Sequence, residues 1–156
     1  MAARRQRNTD KRDDRDSDSL ALVLGDAMRA VQRVFSERIR DIGISAAQWP
    51  CLRVLNEGDG ITQRELADRA KISGATLVPI VRWLAARGYL KRKSDPADRR
   101  KVRIFLTAKG RATCGRVIPE IRTINAAAAR SMSRAELKQL KKSLRSLQSD
   151  VLARDG

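Results

Sequence analysis

Histidine is absent from all 156 residues, and the two cysteines, Cys51 and Cys114, show no CxxC spacing. That removes the commonest general base, the Ser-His and Cys-His nucleophile pairs, and the usual zinc ligand sets. No catalytic residue, metal or cofactor is therefore expected. The side chains with chemistry to offer are cations. Between Arg87 and Ile104 lie eight basic and two acidic residues, a net +6 in eighteen positions, with Asp98-Arg99-Arg100-Lys101 among them. Arginines clustered on a protruding ribbon can enter a narrow minor groove, where the negative potential is deepest. Asp98 would repel DNA, so its expected role is to brace a neighbouring arginine by a charge-assisted hydrogen bond. A solvated charged hairpin is the plain alternative.

A ribbon needs two arms. Tyr89-Leu90-Lys91-Arg92 is short and alternating, and Val102-Arg103-Ile104-Phe105-Leu106 places an apolar residue at every second position. Ser94-Asp95-Pro96-Ala97-Asp98 between them is turn chemistry, so a hairpin is expected over 89–107. Upstream, Thr62 with Glu65 forms a capping box and Ser73 a lone N-cap. These predict helices 62–70 and 74–87, joined by a turn at Lys71-Ile72-Ser73: a helix-turn-helix, whose second helix is shaped for the major groove. Leu66, Ala67 and Ala70 are expected inside, as are Leu77, Ile80, Val81 and Leu84. The open N-terminal face of the second helix then presents Ser73, Gly74, Ala75, Thr76 and Val78. Small side chains permit close approach to thymine methyls and phosphates, and Thr76 can bond a base edge.

The rest of the chain supplies framework. Leu20, Leu24, Met28, Val31, Phe35 and Ile39 recur every three or four residues, predicting a helix over 18–42 that Gly43 ends. Ser45 with Gln48 opens a helix over 46–57, with Pro50 early in it. Helices over 108–130 and 134–153 follow, the last opened by Ser133 with Glu136. Leu137, Leu140, Leu144, Leu147 and Val151 make a heptad seam on that helix, flanked by Lys138, Lys141, Lys142 and Arg145. Such a seam favours a homodimer. Residues 1–17 are mostly charged and read as a flexible basic N-terminal arm.

With 34 Lys and Arg against 18 acidic residues, the chain carries a formal charge of +16. Double-stranded DNA is the first partner this implies and an anionic membrane the second. No apolar run approaches the roughly 18 residues that span a bilayer, so no membrane partner is expected. Two cysteines without a signal peptide fit a reducing, cytoplasmic setting.

The ordered set of residues resembles the multiple antibiotic resistance regulator (MarR) family of winged helix-turn-helix proteins over about 18–150. The residues that carry the resemblance are Leu55 and Gly58, Thr62-Gln63-Arg64-Glu65-Leu66-Ala67, Ser73, and Thr76-Leu77. Leu84-Ala85-Ala86-Arg87-Gly88-Tyr89-Leu90, Arg92, Asp98-Arg99-Arg100 and Leu106-Thr107-Ala108-Lys109-Gly110 complete it. It implies a fold that is mainly α with a small β-hairpin wing: a winged helix-turn-helix plus N- and C-terminal dimerisation helices. In this reading the domain spans 18–154, the DNA-binding lobe 45–110, and the dimerisation helices 18–42 and 108–153. Residues 74–87 would be the recognition helix, and Arg100 the wing-tip residue in the minor groove with Asp98 bracing it. The candidate DNA contacts are Thr62, Gln63, Ser73, Gly74, Ala75, Thr76, Leu77, Arg82, Arg92, Asp98, Arg99, Arg100 and Lys101. One departure stands out: Val78-Pro79 replaces the polar pair many members carry, and Pro79 should kink the helix or force a late start.

The same resemblance implies a small anionic or aromatic effector between the dimer helices and the DNA-binding lobe. Its candidate lining is Met28, Val31, Phe35, Trp49 and Arg53, with ordinary core packing as the plainer reading of each. The leading expectation is a sequence-specific dimeric repressor released from a pseudo-palindromic operator by a small molecule. A basic architectural DNA-binding protein is the first alternative. A thiol-based redox-sensing regulator is the second, although Cys51 lies among Trp49, Pro50 and Leu52 and reads as a buried, inert thiol.

Overall fold

A computed structural model of the chain describes residues 19–98 and 100–153. The expected basic arm over 1–17 lies outside the described residues, as does Arg99. Among the described residues the elements are α1 (Leu20–Arg40), α2 (Trp49–Glu57), β1 (Ile61–Thr62), α3 (Gln63–Ala70) and α4 (Gly74–Ala86). They continue with β2 (Leu90–Ser94), β3 (Val102–Leu106), α5 (Ala108–Ala128) and α6 (Arg134–Leu152). Two compact units meet within α5, one ending at Glu120 and the other beginning at Ile121.

The first unit is built around the sheet and the helices that cover it. Strand order is β1-β3-β2, antiparallel throughout, with Leu90 opposite Leu106, Ser94 opposite Val102, and Thr62 opposite Arg103. β1 is an addition to the expected hairpin. Two residues are too few to show alternation, and β1 is fixed instead from Gly60, whose N–H donates to the Ile104 carbonyl at 2.8 Å. Ile104 and Leu106 turn inward and share the core with Leu52, Leu55, Leu66, Leu77, Val81 and Leu84, all at most 1% exposed. Burying each such side chain contributes about 1.5–3 kcal/mol.

Two starts behave differently from expectation. At Ser45 only half of the capping box forms: its N–H donates to Gln48 Oε1 at 2.8 Å, but regular α-helix waits until Trp49. Pro50 is the reason, because it has no N–H for the Ala46 carbonyl and leaves 46–48 as a turn. Pro79, in contrast, does not delay α4. That helix opens at Gly74 directly after Ser73, correcting the expected late start. Only the Ala75 carbonyl loses its partner, and Ala75 and Pro79 are both exposed, so water can serve it.

Capping elsewhere follows the sequence. Thr62 and Ser133 each complete a capping box, with Glu65 and Glu136. Hydrogen bonds from the Thr62 N–H and hydroxyl hold the Glu65 carboxyl below its usual range. The Ser133 hydroxyl and N–H do the same for Glu136. A carboxyl depressed in the folded state stabilises the fold above its unfolded pKa and loses that contribution as pH falls through the folded value. With no histidine in the sequence, the melting temperature should be level between about pH 5.5 and 7 and decline below about pH 4. A scan of melting temperature against pH checks this; a step near pH 6.5 would contradict it.

Helix α1 buries little: Ile39 is its one buried residue, while Leu20, Leu22, Val23 and Met28 are about half exposed. In the second unit, α6 has no buried residue, and its seam stays accessible at Leu140 and Leu144, each 39% exposed, and at Val151.

Candidate nucleic-acid interface

The turn between α3 and α4 is closed by the backbone. Ile72 N–H donates to the Ala67 carbonyl at 3.0 Å and Lys71 N–H to the Asp68 carbonyl at 3.4 Å, with Lys71 left-handed at φ +57°. This is the Schellman ending of a helix, with lysine where glycine is usual. Ser73 then caps α4: its Oγ accepts the Thr76 N–H at 3.2 Å and lies 2.8 Å from Thr76 Oγ1. Ser73, Gly74, Ala75 and Thr76 are all exposed, so two joined hydroxyls and free N–H groups share a helix N-terminus, where an anion is favoured. Leu77 is different. It is 0% exposed, anchoring α4 in the core, which corrects its expected place among the DNA contacts.

The wing is β2, β3 and the loop between them. Asp98 Oδ1 accepts both the backbone N–H of Arg100 (3.1 Å) and its Nε (3.2 Å), and Lys101 Nζ lies 3.8 Å from Oδ2. The Arg100 side chain is nonetheless 92% exposed. Its backbone N–H and Nε are held while the two terminal nitrogens of the guanidinium project, a pre-organised cation that loses little freedom on meeting a polyanion.

Thr62 and Gln63, both half-buried, already have partners. Thr62 Oγ1 donates to Glu65 Oε2 at 2.7 Å, and Gln63 Oε1 accepts from Arg92 Nη2 at 3.4 Å. Arg92 thus ties β2 to the start of α3. Arg82 lies exposed one turn beyond Val78.

Several supporting residues escaped the sequence reading. The Trp83 and Tyr89 rings stack with centroids 6.0 Å apart, Arg87 lies 4.3 Å over Trp83, and Lys109 lies 4.3 Å over Tyr89. This column binds the end of α4 to the start of α5. Asp59 accepts from Leu106 N–H and from Arg111 Nη2, each at 3.0 Å. At the wing's base the buried Asp95 carboxylate pairs with the partly exposed Arg103 guanidinium. Each joins residues from different elements, so only a known register could have paired them in advance.

A family model described as MarR family matches residues 42–101, which run from the turn after α1 through the wing loop. The HTH-type transcriptional regulator TtmR of Methylorubrum extorquens is 30% identical over 130 residues, 83% of this chain and 66% of TtmR. The HTH-type transcriptional repressor NicR of Pseudomonas putida is 32% identical over 111 residues, 69% of this chain and 70% of NicR.

The chain belongs to the MarR family. The solved structure of BpsR from Bordetella bronchiseptica, whose DNA binding is regulated by 6-hydroxynicotinic acid, agrees with a TM-score of 0.78. It is 28% identical, covering 85% of this chain and 94% of BpsR. The winged helix-turn-helix expected of a MarR protein is the architecture found, and the family is one of transcriptional regulators rather than enzymes.

The five residues read from the sequence as a candidate effector lining, Met28, Val31, Phe35, Trp49 and Arg53, differ in exposure. Met28 and Val31 are exposed, Phe35 is half-buried and Trp49 is 7% exposed in the core. Arg53 pairs with Glu57 at 2.7 Å on the surface of α2.

Both cysteines are buried and free. Burial pushes the Cys51 thiol up to about 11 and raises Cys114 as well; Cys114 Sγ also donates to the Leu52 carbonyl at 3.6 Å. Thiolate is the reactive form, so this geometry disfavours the redox alternative. Native protein at neutral pH should resist a thiol-specific disulfide reagent and show both thiols only on denaturation. Rapid labelling of one equivalent in the native state would contradict this.

Proposed function

We propose that this MarR protein is a cytoplasmic, dimeric transcription repressor that holds a two-fold operator through α4 and the wing, and leaves it when a small anionic or aromatic molecule binds. The observation that carries the reading is one unit offering both kinds of DNA contact. A capped, open helix N-terminus at Ser73–Thr76 suits the major groove, and a braced, projecting Arg100 suits the minor groove. The exposed apolar residues of α1 and the accessible seam of α6 supply surface for a second copy of the chain. The effector class rests on BpsR, whose DNA binding responds to 6-hydroxynicotinic acid, and on the net positive charge of this chain. No helix among the described residues is long and apolar enough to cross a membrane.

The architectural alternative would share the salt dependence, since each neutralised phosphate contributes about −0.9 to the log–log slope. It would lack the preference of roughly a thousandfold or more for one sequence over random DNA. Thr76→Ala separates the two at the residue level. It should weaken operator binding by about 1 kcal/mol and relax preference at one position per half-site. Competition binding against single-base operator variants reads this directly. A uniform loss across all sequences would make Thr76 a phosphate contact instead.

A further inference from the structure

Asp95 is the one charged residue fully buried among the described residues, at 5% exposure. Its Oδ1 accepts the Ala97 N–H at 2.8 Å and its Oδ2 accepts Arg103 Nε at 2.6 Å. The same guanidinium reaches out of the hairpin: Arg103 Nη1 donates to the Gly60 carbonyl at 2.8 Å. Arg103 also sits opposite Thr62, the residue that caps α3. One arginine therefore grips the wing loop with one nitrogen and the approach to the helix-turn-helix with another. Onward from Asp95, its N–H donates to the Lys101 carbonyl at 2.8 Å, and the Lys101 N–H donates to the Asp98 carbonyl at 2.9 Å. Asp98 in turn holds Arg100.

An ion pair with one partner open to solvent adds little net stability. What it does supply is direction, because a guanidinium fork and a carboxylate accept few relative orientations. Here a half-buried charge pair, with Asp95 inside and Arg103 partly open to solvent, links the loop that carries Arg100 to the residues that start α3.

We propose that Asp95 and Arg103 are positioning residues for DNA recognition: together they fix the pitch of the wing against the helix-turn-helix, so that Arg100 meets the minor groove in step with the α4 half-site. This rests on the reading of Arg100 as a minor-groove contact. Neither residue needs to touch DNA, and both act through Arg100.

The test is a double-mutant cycle on the full chain, using duplexes that share the selected operator core but differ in A/T-rich or G/C-rich flanks. Arg103→Lys keeps the charge and removes the fork; Asp95→Asn keeps the shape and removes the charge. With Arg100 present, each should reduce the preference for A/T flanks by about tenfold and leave core preference unchanged. In the Arg100→Ala background neither should have any further effect. Equal losses in both backgrounds, or no loss in a folded variant, would overturn the positioning role and leave the Arg100 contact intact. An inert Arg100→Ala would overturn the contact itself and the positioning role with it. Thermal melting run alongside closes the remaining route: if both Arg103→Lys and Asp95→Asn unfold, the pair is a stability element and the proposal fails.

Discussion

Replacing Arg100 with alanine is expected to weaken operator binding by about 1–3 kcal/mol, roughly ten- to a hundredfold, and to flatten preference for A/T-rich flanks. The side chain is 92% exposed, so its loss removes no core contact and the melting temperature should stay within about 1 °C. The effect on DNA is large because the guanidinium is already held. Asp98 fixes its Nε and backbone N–H, so the ordering cost is met before DNA arrives. A narrow A/T minor groove concentrates negative potential where one cation can lie. The salt slope should also fall by about one unit. Fluorescence anisotropy on paired duplexes at two salt concentrations measures affinity, flank preference and salt slope, and a thermal melt gives the fourth quantity. Unchanged affinity and unchanged flank preference would remove the minor-groove assignment.

Gly110→Ala is expected to be the most damaging single methyl in the DNA-binding unit. A Cβ at Gly110 would lie 2.3 Å from the Tyr89 carbonyl oxygen and 2.8 Å from Leu106 Cδ2. The first neighbour is backbone and cannot step aside cheaply. It is pinned by Thr107, whose N–H and hydroxyl both donate to the Tyr89 carbonyl at 3.1 Å, while the hydroxyl also reaches the Gly88 carbonyl at 2.6 Å. Lys109 Nζ adds a bond to the Arg87 carbonyl at 2.8 Å. The first turn of α5 is thus docked on the α4–β2 junction with no room for a side chain. Overpacking of this kind costs about 3 kcal/mol, which for a chain of this size lowers the melting temperature by about 10 °C. Gly115 provides the control within the same helix. Nothing lies within 4 Å of a Cβ there, so Gly115→Ala should be neutral or stabilising by up to about 1 kcal/mol. Differential scanning calorimetry of the two variants decides the matter; equal melting temperatures would contradict the close approach.

Legibility in the sequence tracked how local the physics was. Thr62, Ser73 and Ser133 cap helices through bonds spanning three residues, so spacing alone could place them. The alternation from Val102 to Leu106 and the turn residues after Ser94 marked the hairpin for the same reason. Asp98 and Arg100 also sit two positions apart, so their bond is legible from spacing. What the spacing hid was contact across elements. For Leu77 the apolar spacing pointed inward and the family resemblance pointed to DNA, and the structure agrees with the spacing. Asp95 looked like turn chemistry until the strand register set it diagonally from Arg103. β1 is too short for any periodicity. Pro50 and Pro79 show that one residue type has opposite consequences in two helices, because each result depends on which carbonyl loses its donor.

The α4 N-terminus and the wing are together expected to read a two-fold DNA sequence. Selecting preferred duplexes from a random pool with the purified protein, then sequencing the bound fraction, tests it most directly. The predicted result is a pseudo-palindromic motif whose half-sites lie about one helical turn apart, with A/T enrichment where Arg100 would reach the minor groove. A bound pool with no enriched motif would contradict it and make the protein a basic binder of DNA at large.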